Sequence, residues 1–437
     1  MKRTYQPFYF VFSLIVLYSC ASPKEMKIVQ KNAVIALPDD LTELSGDDFS
    51  PIMESLESAK IIGVTECVHE MAEPFYFRNA LIKRLVTEQK IGAIAIESGF
   101  SESRLCYDFI LGKDISLDSV MNNGFSCMFE TIDANRELLL WLRNYNSNKS
   151  PEEQVHFYGF DVPGCPPNPF LEDAYAGFDY VFDYLNEVNP LMSKQFQEKI
   201  DVYRKYLKIE PNPTEETVDY QDLDSAGWEN LEHLLKELET EFIANKMEFV
   251  HASSELDYQW AFRSVSNARA NVNFLRSIGN SDYTYDVRDC GQFENVQWIQ
   301  KKEGKKRLLL FAHSVHLMKE IHSDNPAVLA HPMCGEYLGE EYGDDYVVIG
   351  NFYRKLDWLD GDPLELEEGA LGVDLSKLGS KNYLINVDDL SEDWKKEWFI
   401  RNLNSGDELL TDLDKSVDII YFNDTQTTLF RYEEDEK

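Results

Sequence analysis

The sequence predicts an α/β protein with a mostly parallel central sheet that is flanked by helices and carries a helical insertion or cap. From about Val34 onward, short apolar runs alternate with segments of helical periodicity, which is typical of parallel strands joined by helices. The stretch from Pro166 to Asn280 differs, because it has few β-branched runs and long helical periodicity. We therefore interpret this stretch as a helical insertion into the α/β domain.

Each predicted strand is a short apolar run, and each predicted helix is a longer segment with an apolar stripe. The strands are predicted at Ala59–Val64, Ile91–Ile96, Val155–Phe160, Arg307–Phe311, Tyr346–Asn351, Asn382–Val387 and Asp418–Phe422. Helices are predicted at Phe75–Gln89, Asp133–Tyr145 and Arg288–Lys302, and within the insertion at Asn230–Lys246 and Leu256–Ile278.

Residues 1–20 have the features of a bacterial lipoprotein signal peptide. Lys2 and Arg3 precede the apolar run Phe8–Tyr18, which is too short to span a bilayer as a helix. Cys20 follows in a sequence that resembles a lipobox, so we expect acylation at this residue. Acyl chains on Cys20 would anchor the protein to a membrane of the cell envelope, in the periplasm or at the outer membrane. An ordinary secretory signal is the alternative.

The rest of the chain divides into three parts. Residues 21–45 are a tether and lead-in, residues 46–165 together with 281–437 form the predicted catalytic domain, and residues 166–280 form the insertion. Six cysteines remain after Cys20, with no CxxC and no metal-finger spacing. Bridged pairs and buried free thiols are both compatible with this pattern.

Composition limits the classes of partner. The 437 residues are 43% hydrophobic, which is typical of a globular protein, and 42 Lys and Arg stand against 78 Asp and Glu. A formal charge of −36 repels phosphate backbones and anionic membrane surfaces, which disfavours nucleic-acid binding. No segment after the signal region is long and apolar enough to predict a transmembrane helix.

Ionisable residues follow four of the predicted strands. Glu66 and His69 come after the first, Glu97 after the second, Asp161 after the third, and His313 with His316 after the fourth. Ligands of parallel sheets bind beyond the carboxyl ends of the strands, where the loops converge. The pattern therefore predicts a site at one edge of the sheet.

The candidate base is His69, because an imidazole takes a proton near neutral pH. Glu66 is three residues earlier and can accept a ring N–H, which fixes the tautomer. Arg78 lies one turn into the following helix and can bind a carboxylate or a developing oxyanion. Glu97 needs a partner directly after an apolar strand, and Arg78 is the expected one.

The remaining candidates have more than one interpretation. His313 and His316 are three residues apart and can be a metal pair, a capping pair or two catalytic groups. Asp161 is predicted to tie loops together. Arg288 and Asp289 are predicted to open a helix, where an aspartate suits the positive end of the helix dipole.

Several catalytic motifs are missing from the sequence. It contains no GxSxG nucleophile elbow, no phosphate-binding glycine loop and no HExxH zinc helix. A serine-triad esterase and a nucleotide enzyme are therefore unsupported. Water activated by histidine remains, as does a metal held by histidines and carboxylates.

Six motifs, in order, resemble segments of the erythromycin esterase family. The segment GVTECVH at Gly63–His69, followed by Glu73 and Arg78, resembles the GExxHG…E…R segment of that family. The other five resemblances are IAIE at Ile94–Glu97, FYGFD at Phe157–Asp161, RD at Arg288–Asp289 with Asn295, AHSVH at Ala312–His316, and MCGEYL at Met333–Leu338 with Tyr346–Gly350. The resemblance is collinear from Ala59 to about Tyr353. Glu70 stands where the family has glycine.

The resemblance implies hydrolysis of a macrolide lactone without a bound metal or other cofactor, and for this chain we expect hydrolysis of an ester or lactone. His69 matches the general base, and the positions of Glu66, Arg78, Glu97, His313 and His316 match the other functional residues. By the same resemblance, Glu66 orients His69, Arg78 with Glu97 sets the pocket charge, and one later histidine donates to the oxyanion. Glu73, Asp161, Arg288 and Asp289 are candidate substrate contacts.

Three hypotheses follow. The first is a metal-independent hydrolase of a small-molecule ester or lactone, held at a membrane by the anchor on Cys20. The second is a metal-dependent hydrolase that uses the same histidines and carboxylates as ligands. The third is a lipoprotein that binds haem or another small molecule and performs no chemistry.

Overall fold

A nine-stranded, mostly parallel sheet forms the centre of the fold in the computed structural model. The structure describes residues 33–126, 129–162, 176–208, 217–277, 284–304, 306–323, 332–358, 362–395, 398–402 and 407–429. The predicted signal peptide, the lipidation site Cys20 and the first part of the tether and lead-in, up to Asn32, lie outside these residues, as do Cys127 and Cys165. The predicted α/β fold class is confirmed.

Twelve strands are present in the described residues. They are β1 (Ile35–Ala36), β2 (Ile61–Glu66), β3 (Ala93–Gly99), β4 (His156–Asp161), β5 (Leu308–His313), β6 (His322–Ser323), β7 (Tyr346–Asp357), β8 (Leu364–Glu365), β9 (Asn382–Asn386), β10 (Trp398–Asn402), β11 (Asp407–Thr411) and β12 (Ile419–Thr427). The main sheet has the order β1-β9-β12-β7-β2-β5-β3-β4, with β8 paired to β7. The run from β12 to β4 is parallel. Strands β9 and β1 add an antiparallel edge, and β10-β11-β6 form a small separate sheet.

The central strands form because both of their faces are covered. Successive apolar residues of β2, β3 and β5 point alternately into two hydrophobic clusters, one on each side of the sheet. Every residue of these three strands is buried, which explains why they read as continuous apolar runs. The connection after β2 leads to β3 on one side of the sheet, whereas the chain after β5 continues to β7 on the other side. A cleft is expected beyond the carboxyl ends of β2 and β5, where the direction of the connections reverses.

Fourteen helices surround or extend this sheet in the described residues. They are α1 (Ala72–Thr87), α2 (Arg104–Ile110), α3 (Leu117–Gly124), α4 (Asp133–Asn146), α5 (Ala176–Val188), α6 (Pro190–Ile200), α7 (Ser225–Ala244), α8 (Lys246–Ala252), α9 (Glu255–Ser277), α10 (Thr284–Glu303), α11 (Ser314–Leu317), α12 (Cys334–Tyr342), α13 (Leu371–Ser376) and α14 (Leu413–Ser416). Short 3-10 turns lie at Leu41–Glu43, Gly46–Ile52, Phe129–Thr131, Asp201–Tyr206, Tyr220–Asp222, Gly343–Asp345, Val387–Asp389 and Glu392–Trp394. None of the helices in these ranges combines the length and apolarity that crossing a membrane requires.

Helices α5 to α9 form a body with its own apolar core, as predicted for the insertion. The body joins the α/β part through α9, which packs along α10. Arg263 of α9 donates to Asn295 of α10 over 2.7 Å, and the Trp260 ring stacks on Phe100 with centroids 5.1 Å apart. Whether the body covers a substrate stays a prediction.

Several predicted boundaries are wrong in an informative way. The helix expected at Arg288–Lys302 begins four residues earlier, at Thr284, so Arg288 and Asp289 lie within its first turns and do not open it. The strands expected to stop before Glu66 and His313 continue through them. Both kinds of error arise because the apolar pattern is shorter than the paired strand or the helix.

Candidate active site

The polar strand ends meet at one edge of the sheet. Glu66 and His313 are the last residues of the neighbouring strands β2 and β5 and are direct partners in the strand register. Glu97 lies near the end of β3, and Asp161 ends β4. All four side chains are nearly or fully buried. The structure thus brings together groups that the sequence separates by more than two hundred positions.

His69 and Glu66 form the exposed end of this cluster. The Nδ1 atom of His69 lies 2.8 Å from Oε1 of Glu66, whose side chain is fully buried, whereas the His69 side chain is 40% exposed. An ionised carboxylate only accepts, so Nδ1 carries the proton and Nε2 has the lone pair. Among the described residues, Nε2 has no hydrogen-bond partner.

The pKa values of this pair are coupled through their contact. Burial opposes the imidazolium of His69, but the hydrogen bond and charge of Glu66 outweigh it and raise the pKa of His69 above its usual value. Burial also raises the pKa of the Glu66 carboxyl, and the bond to His69 opposes that rise. The site therefore holds a histidine of increased basicity beside solvent.

His313 is a neutral histidine locked by backbone groups. Val315 N–H donates to its Nδ1 over 3.3 Å, so the proton is on Nε2, which donates to the Cys67 carbonyl over 2.8 Å. Burial and the nearby charge of His69 lower the pKa of His313 to about 3. Its ring centroid is 5.1 Å from that of His69, so an uncharged imidazole packs beside the candidate base.

His316 is a charged histidine held between two carboxylates. Its Nδ1 lies 2.7 Å from Oδ1 of Asp289, and its Nε2 lies 3.2 Å from Oε1 of Glu97. Burial opposes the charged form, but Asp289 and Glu97 raise the pKa of His316 to about 10. Asp289 also accepts from the backbone N–H of Cys334, at the start of α12, over 3.0 Å.

Arg288 closes the network from the other side. It donates to both oxygens of Asp161 over 3.0 and 2.6 Å, and to Oε1 of Glu97 over 2.9 Å. Burial opposes its charge, yet Asp161 and Glu97 raise the pKa of Arg288. Although burial also opposes the Glu97 carboxylate, His316 and Arg288 hold the pKa of Glu97 well below its usual value. Glu97 thus stays ionised and receives the His313 backbone N–H over 2.7 Å.

The expected pairing of Arg78 with Glu97 is wrong. Arg78 is fully buried, with its guanidinium 4.7 Å and 4.6 Å from the ring centroids of Phe75 and Phe311. It donates to the amide oxygens of Asn79 and Asn135, and its charge acts on Glu66. Burial lowers the pKa of Arg78 to about 9. Arg78 is therefore packed inside the protein, where its charge acts on Glu66, and its guanidinium is not exposed to a substrate.

Two further expectations do not match the geometry. Both ring nitrogens of His313 and of His316 already bond to protein groups, so neither histidine presents the free N–H expected of an oxyanion donor. Both carboxylate oxygens of Glu73 accept from Thr427, over 2.8 Å and 2.9 Å, so Glu73 is not an open substrate contact. Asp161 is a buried ion-pair partner of Arg288, and its predicted roles in tying loops together and in contacting substrate stay predictions.

Sequence reasoning assigned no role to two polar side chains in the network, although Asn295 is part of one of the matched motifs. Gln292 donates to Asp161 over 2.8 Å, and Asn295 donates to the Phe160 carbonyl over 2.9 Å. With Arg288 they stand four and three residues apart on α10, a spacing that places them on one helix face. A polar stripe on a helix that otherwise faces the sheet was the available signal.

Within the ranges that the structure describes, no set of three or more His, Cys, Asp or Glu side chains is arranged to hold a metal ion. The free ring nitrogen of His69 beside solvent is the group best placed to receive a proton.

Comparison with known proteins decides the family. A family model described as erythromycin esterase matches residues 86–361, which is more than half of the chain. This chain belongs to the erythromycin esterase family. The matched segment includes Glu97, Asp161, Arg288, His313 and His316, while Glu66, His69, Glu73 and Arg78 precede it.

Individual relatives agree with this membership. Erythromycin esterase type II of Escherichia coli is 22% identical over 424 residues, covering 88% of this chain and 93% of that protein. The putative hydrolase YbfO of Bacillus subtilis (strain 168) is 22% identical over 320 residues, covering 72% of this chain and 69% of that protein. A solved structure of a mutant of the erythromycin esterase EreC, in its open conformation, has a TM-score of 0.67 at 15% identity. The match covers 91% of this chain and 98% of that chain. The erythromycin esterase family membership and these names support a hydrolase.

Proposed function

We propose that this protein hydrolyses a carboxylic ester or lactone by activating a water molecule with His69. The observation that carries the proposal is the pair of ring nitrogens in His69. One is held by the buried Glu66 carboxylate, and the other has its lone pair free beside solvent. A base needs this arrangement to remove a proton from water.

The reaction proceeds in two steps. His69 Nε2 takes a proton from water while the water oxygen bonds to the acyl carbon, which gives a tetrahedral oxyanion and an imidazolium. The bond to the leaving oxygen then breaks, and the imidazolium returns its proton to that alkoxide, so the base is regenerated. Glu66 stabilises the imidazolium between the steps, because its carboxylate accepts a hydrogen bond from Nδ1–H of His69 throughout.

The side chains that could replace water as a nucleophile are poorly placed for attack. Ser314 is buried, and its hydroxyl donates to the Glu66 carbonyl over 2.9 Å. The Cys67 thiol donates to the Asn351 carbonyl over 2.7 Å, and burial raises the pKa of Cys67 to about 12. A thiol that stays protonated is a weak nucleophile. These contacts support direct attack by water.

The buried charges give the base a fixed frame. His316 and Arg288 are cations, and Glu97, Asp161 and Asp289 are their counter-ions. Because Glu97 holds the His313 backbone, the network fixes the strand end that faces Glu66. We assign these residues a supporting role, with His69 and Glu66 as the reacting pair.

A substrate panel tests the proposal. Purified protein is assayed on simple aryl esters, on lactones of different ring size and on a macrolide, since the name of the Escherichia coli relative points to erythromycin. We expect turnover of at least one class, and loss of roughly a thousandfold or more in His69→Ala. His156→Ala is the matched control, because His156 also has a carboxylate on Nδ1, that of Glu303 over 2.6 Å.

Three outcomes separate the hypotheses. Activity that survives EDTA and disappears in His69→Ala supports hydrolysis by a histidine-activated water. Activity that EDTA removes and a divalent metal restores would replace it with metal-dependent hydrolysis. Saturable binding of a ligand without turnover on any ester or lactone would leave only a binding role.

We also propose that the protein is anchored to the cell envelope through an acylated Cys20. The lipobox-like sequence around this residue supports the proposal. Cells that express the full chain are fractionated, and we expect it in the membrane fraction. Cys20→Ala is expected to prevent anchoring and retain the unprocessed signal segment, so mass spectrometry of the N-terminus is the deciding measurement. An unmodified N-terminus at another position in the wild type would indicate an ordinary secretory signal.

A further inference from the structure

The end of β12 lies against the loop that carries His69. This strand runs parallel to β7, so its carboxyl end reaches the same sheet edge as the candidate base. Beyond the last residue of β12, the backbone N–H of Leu429 donates to the carbonyl of Glu70 over 2.8 Å. Met71 and Thr428 form an antiparallel bridge between the same two segments. The chain directly after His69 is therefore paired with the chain directly after β12.

A side-chain clamp reinforces this pairing. Thr427 donates its backbone N–H to Oε2 of Glu73 over 2.8 Å and its hydroxyl to Oε1 over 2.9 Å. The hydroxyl of Tyr421, also on β12, donates to the Glu73 carbonyl over 3.1 Å. Glu73 therefore uses both carboxylate oxygens and its carbonyl to hold one strand at the start of α1.

The loop between these anchors is strained. Glu70 has a φ of 69°, in the left-handed region that residues with a side chain rarely adopt. Such a conformation persists only where surrounding contacts determine it. His69 is the residue just before, so the contacts that hold Glu70 also decide where the imidazole points.

We propose that Thr427–Leu429 is a latch that positions His69, and that Glu73 is a positioning residue and not a substrate contact. The proposal rests on the proposed role of His69 as the base. Glu66 fixes the ring from the end of β2, and the latch fixes the backbone on the other side of the loop. With the latch open, the imidazole leaves the geometry that proton transfer requires, although substrate contacts are unchanged.

A double-mutant cycle on Glu73→Ala and Thr427→Val distinguishes positioning from substrate binding. Misplacement of the base is expected to lower kcat roughly tenfold in Glu73→Ala, with KM within about twofold. Thr427→Val keeps its backbone donor and is expected to have a smaller effect. The double variant should be no slower than Glu73→Ala alone, because both changes open the same latch. A raised KM in Glu73→Ala that is independent of Thr427→Val would overturn the proposal.

A second readout does not depend on turnover. We expect faster amide hydrogen exchange over residues 67–73 in Glu73→Ala, because the loop loses the two hydrogen bonds between the Glu73 carboxylate and Thr427. The matched control is Asp424→Asn, also on β12, which weakens an ion pair away from the loop, because Arg354 of β7 donates to the two carboxylate oxygens of Asp424 over 2.7 and 2.8 Å and an amide offers only one acceptor oxygen. This control should leave both the loop exchange and kcat unchanged.

These measurements separate the latch from the base. Unchanged loop exchange in Glu73→Ala overturns the latch whatever the reaction is. Faster exchange with unchanged kcat overturns the claim that the latch positions the base. Full activity in His69→Ala, by contrast, refutes the proposed function and is read from a different variant.

Discussion

The contact between Glu66 and His69 predicts a specific change in the pH dependence of activity. In Glu66→Gln the neutral amide replaces a carboxylate that lies 2.8 Å from Nδ1 of His69. A hydrogen bond to a charged group contributes about 1.5–3 kcal/mol, and the lower end applies because His69 is 40% exposed. Since 1.36 kcal/mol equals one pKa unit, the pKa of His69 should fall by about one unit.

The sign of the effect on rate follows from the role of a base. His69 must be neutral to take a proton, so kcat/KM rises with pH through the pKa of His69. That pKa is raised in the wild type, and the acid limb therefore lies above the usual histidine value. In Glu66→Gln the limb should move about one unit toward lower pH, while the plateau falls roughly 10- to 100-fold as the imidazolium loses its partner.

The assay is the pH profile of kcat/KM on the best ester of the panel, between pH 5 and 10. Glu303→Gln is the control, because it removes a buried carboxylate that contacts another histidine, His156, at 2.6 Å. That variant should lose stability without moving the limb. An acid limb that stays in place in Glu66→Gln would refute the assignment of His69 as the base.

Three further predictions concern stability. His316 has a folded pKa of about 10, above its unfolded value of 6.5, so its contribution to stability is complete below pH 6.5 and is lost as the pH rises to 10; urea titrations of the wild type should show a fall on the order of 5 kcal/mol over that window, and His316→Gln should flatten it. Arg78→Lys should lower the free energy of unfolding by about 2–3 kcal/mol, because a lysine lacks the planar fork that bonds two asparagines between two rings; a raised KM with unchanged urea stability would contradict this. Glu70→Gly should raise the melting temperature, with a gain of about 0.5 kcal/mol, because relief of a positive φ exceeds the entropy cost of glycine; a lower melting temperature would show that the Glu70 side chain contributes more than the strain costs.

The sequence predicts the sheet well because its central strands are buried on both faces. Such strands must be apolar throughout, and β2, β3 and β5 are recognisable for that reason. The two-residue strands β1, β6 and β8 are too short to have a period, and they were missed. The small sheet of β10 and β11 was missed as well.

The candidate site could be located from the sequence, but its partners could not. Residues at the ends of parallel strands meet because the topology requires it, so Glu66, Glu97 and His313 were predicted together. The partner of Glu97 depends on how far a helix behind the sheet is rotated, and spacing does not fix that rotation. Arg288 was therefore assigned to a helix start, although it is the ion-pair partner of Glu97.

The position of β5 in the sheet has a consequence for how this protein folds during its synthesis. Strands β2 and β3 are not neighbours, and each of them pairs with β5 instead. His313 and the Cys67 carbonyl that it contacts are 246 positions apart. In a chain emerging from the ribosome, the edges of β2 and β3 that face β5 therefore stay unpaired until the whole helical body and β5 have been synthesised. We expect fragments that end before Leu308 to be inactive and to depend on chaperones, because the gap between those edges invites pairing with other chains.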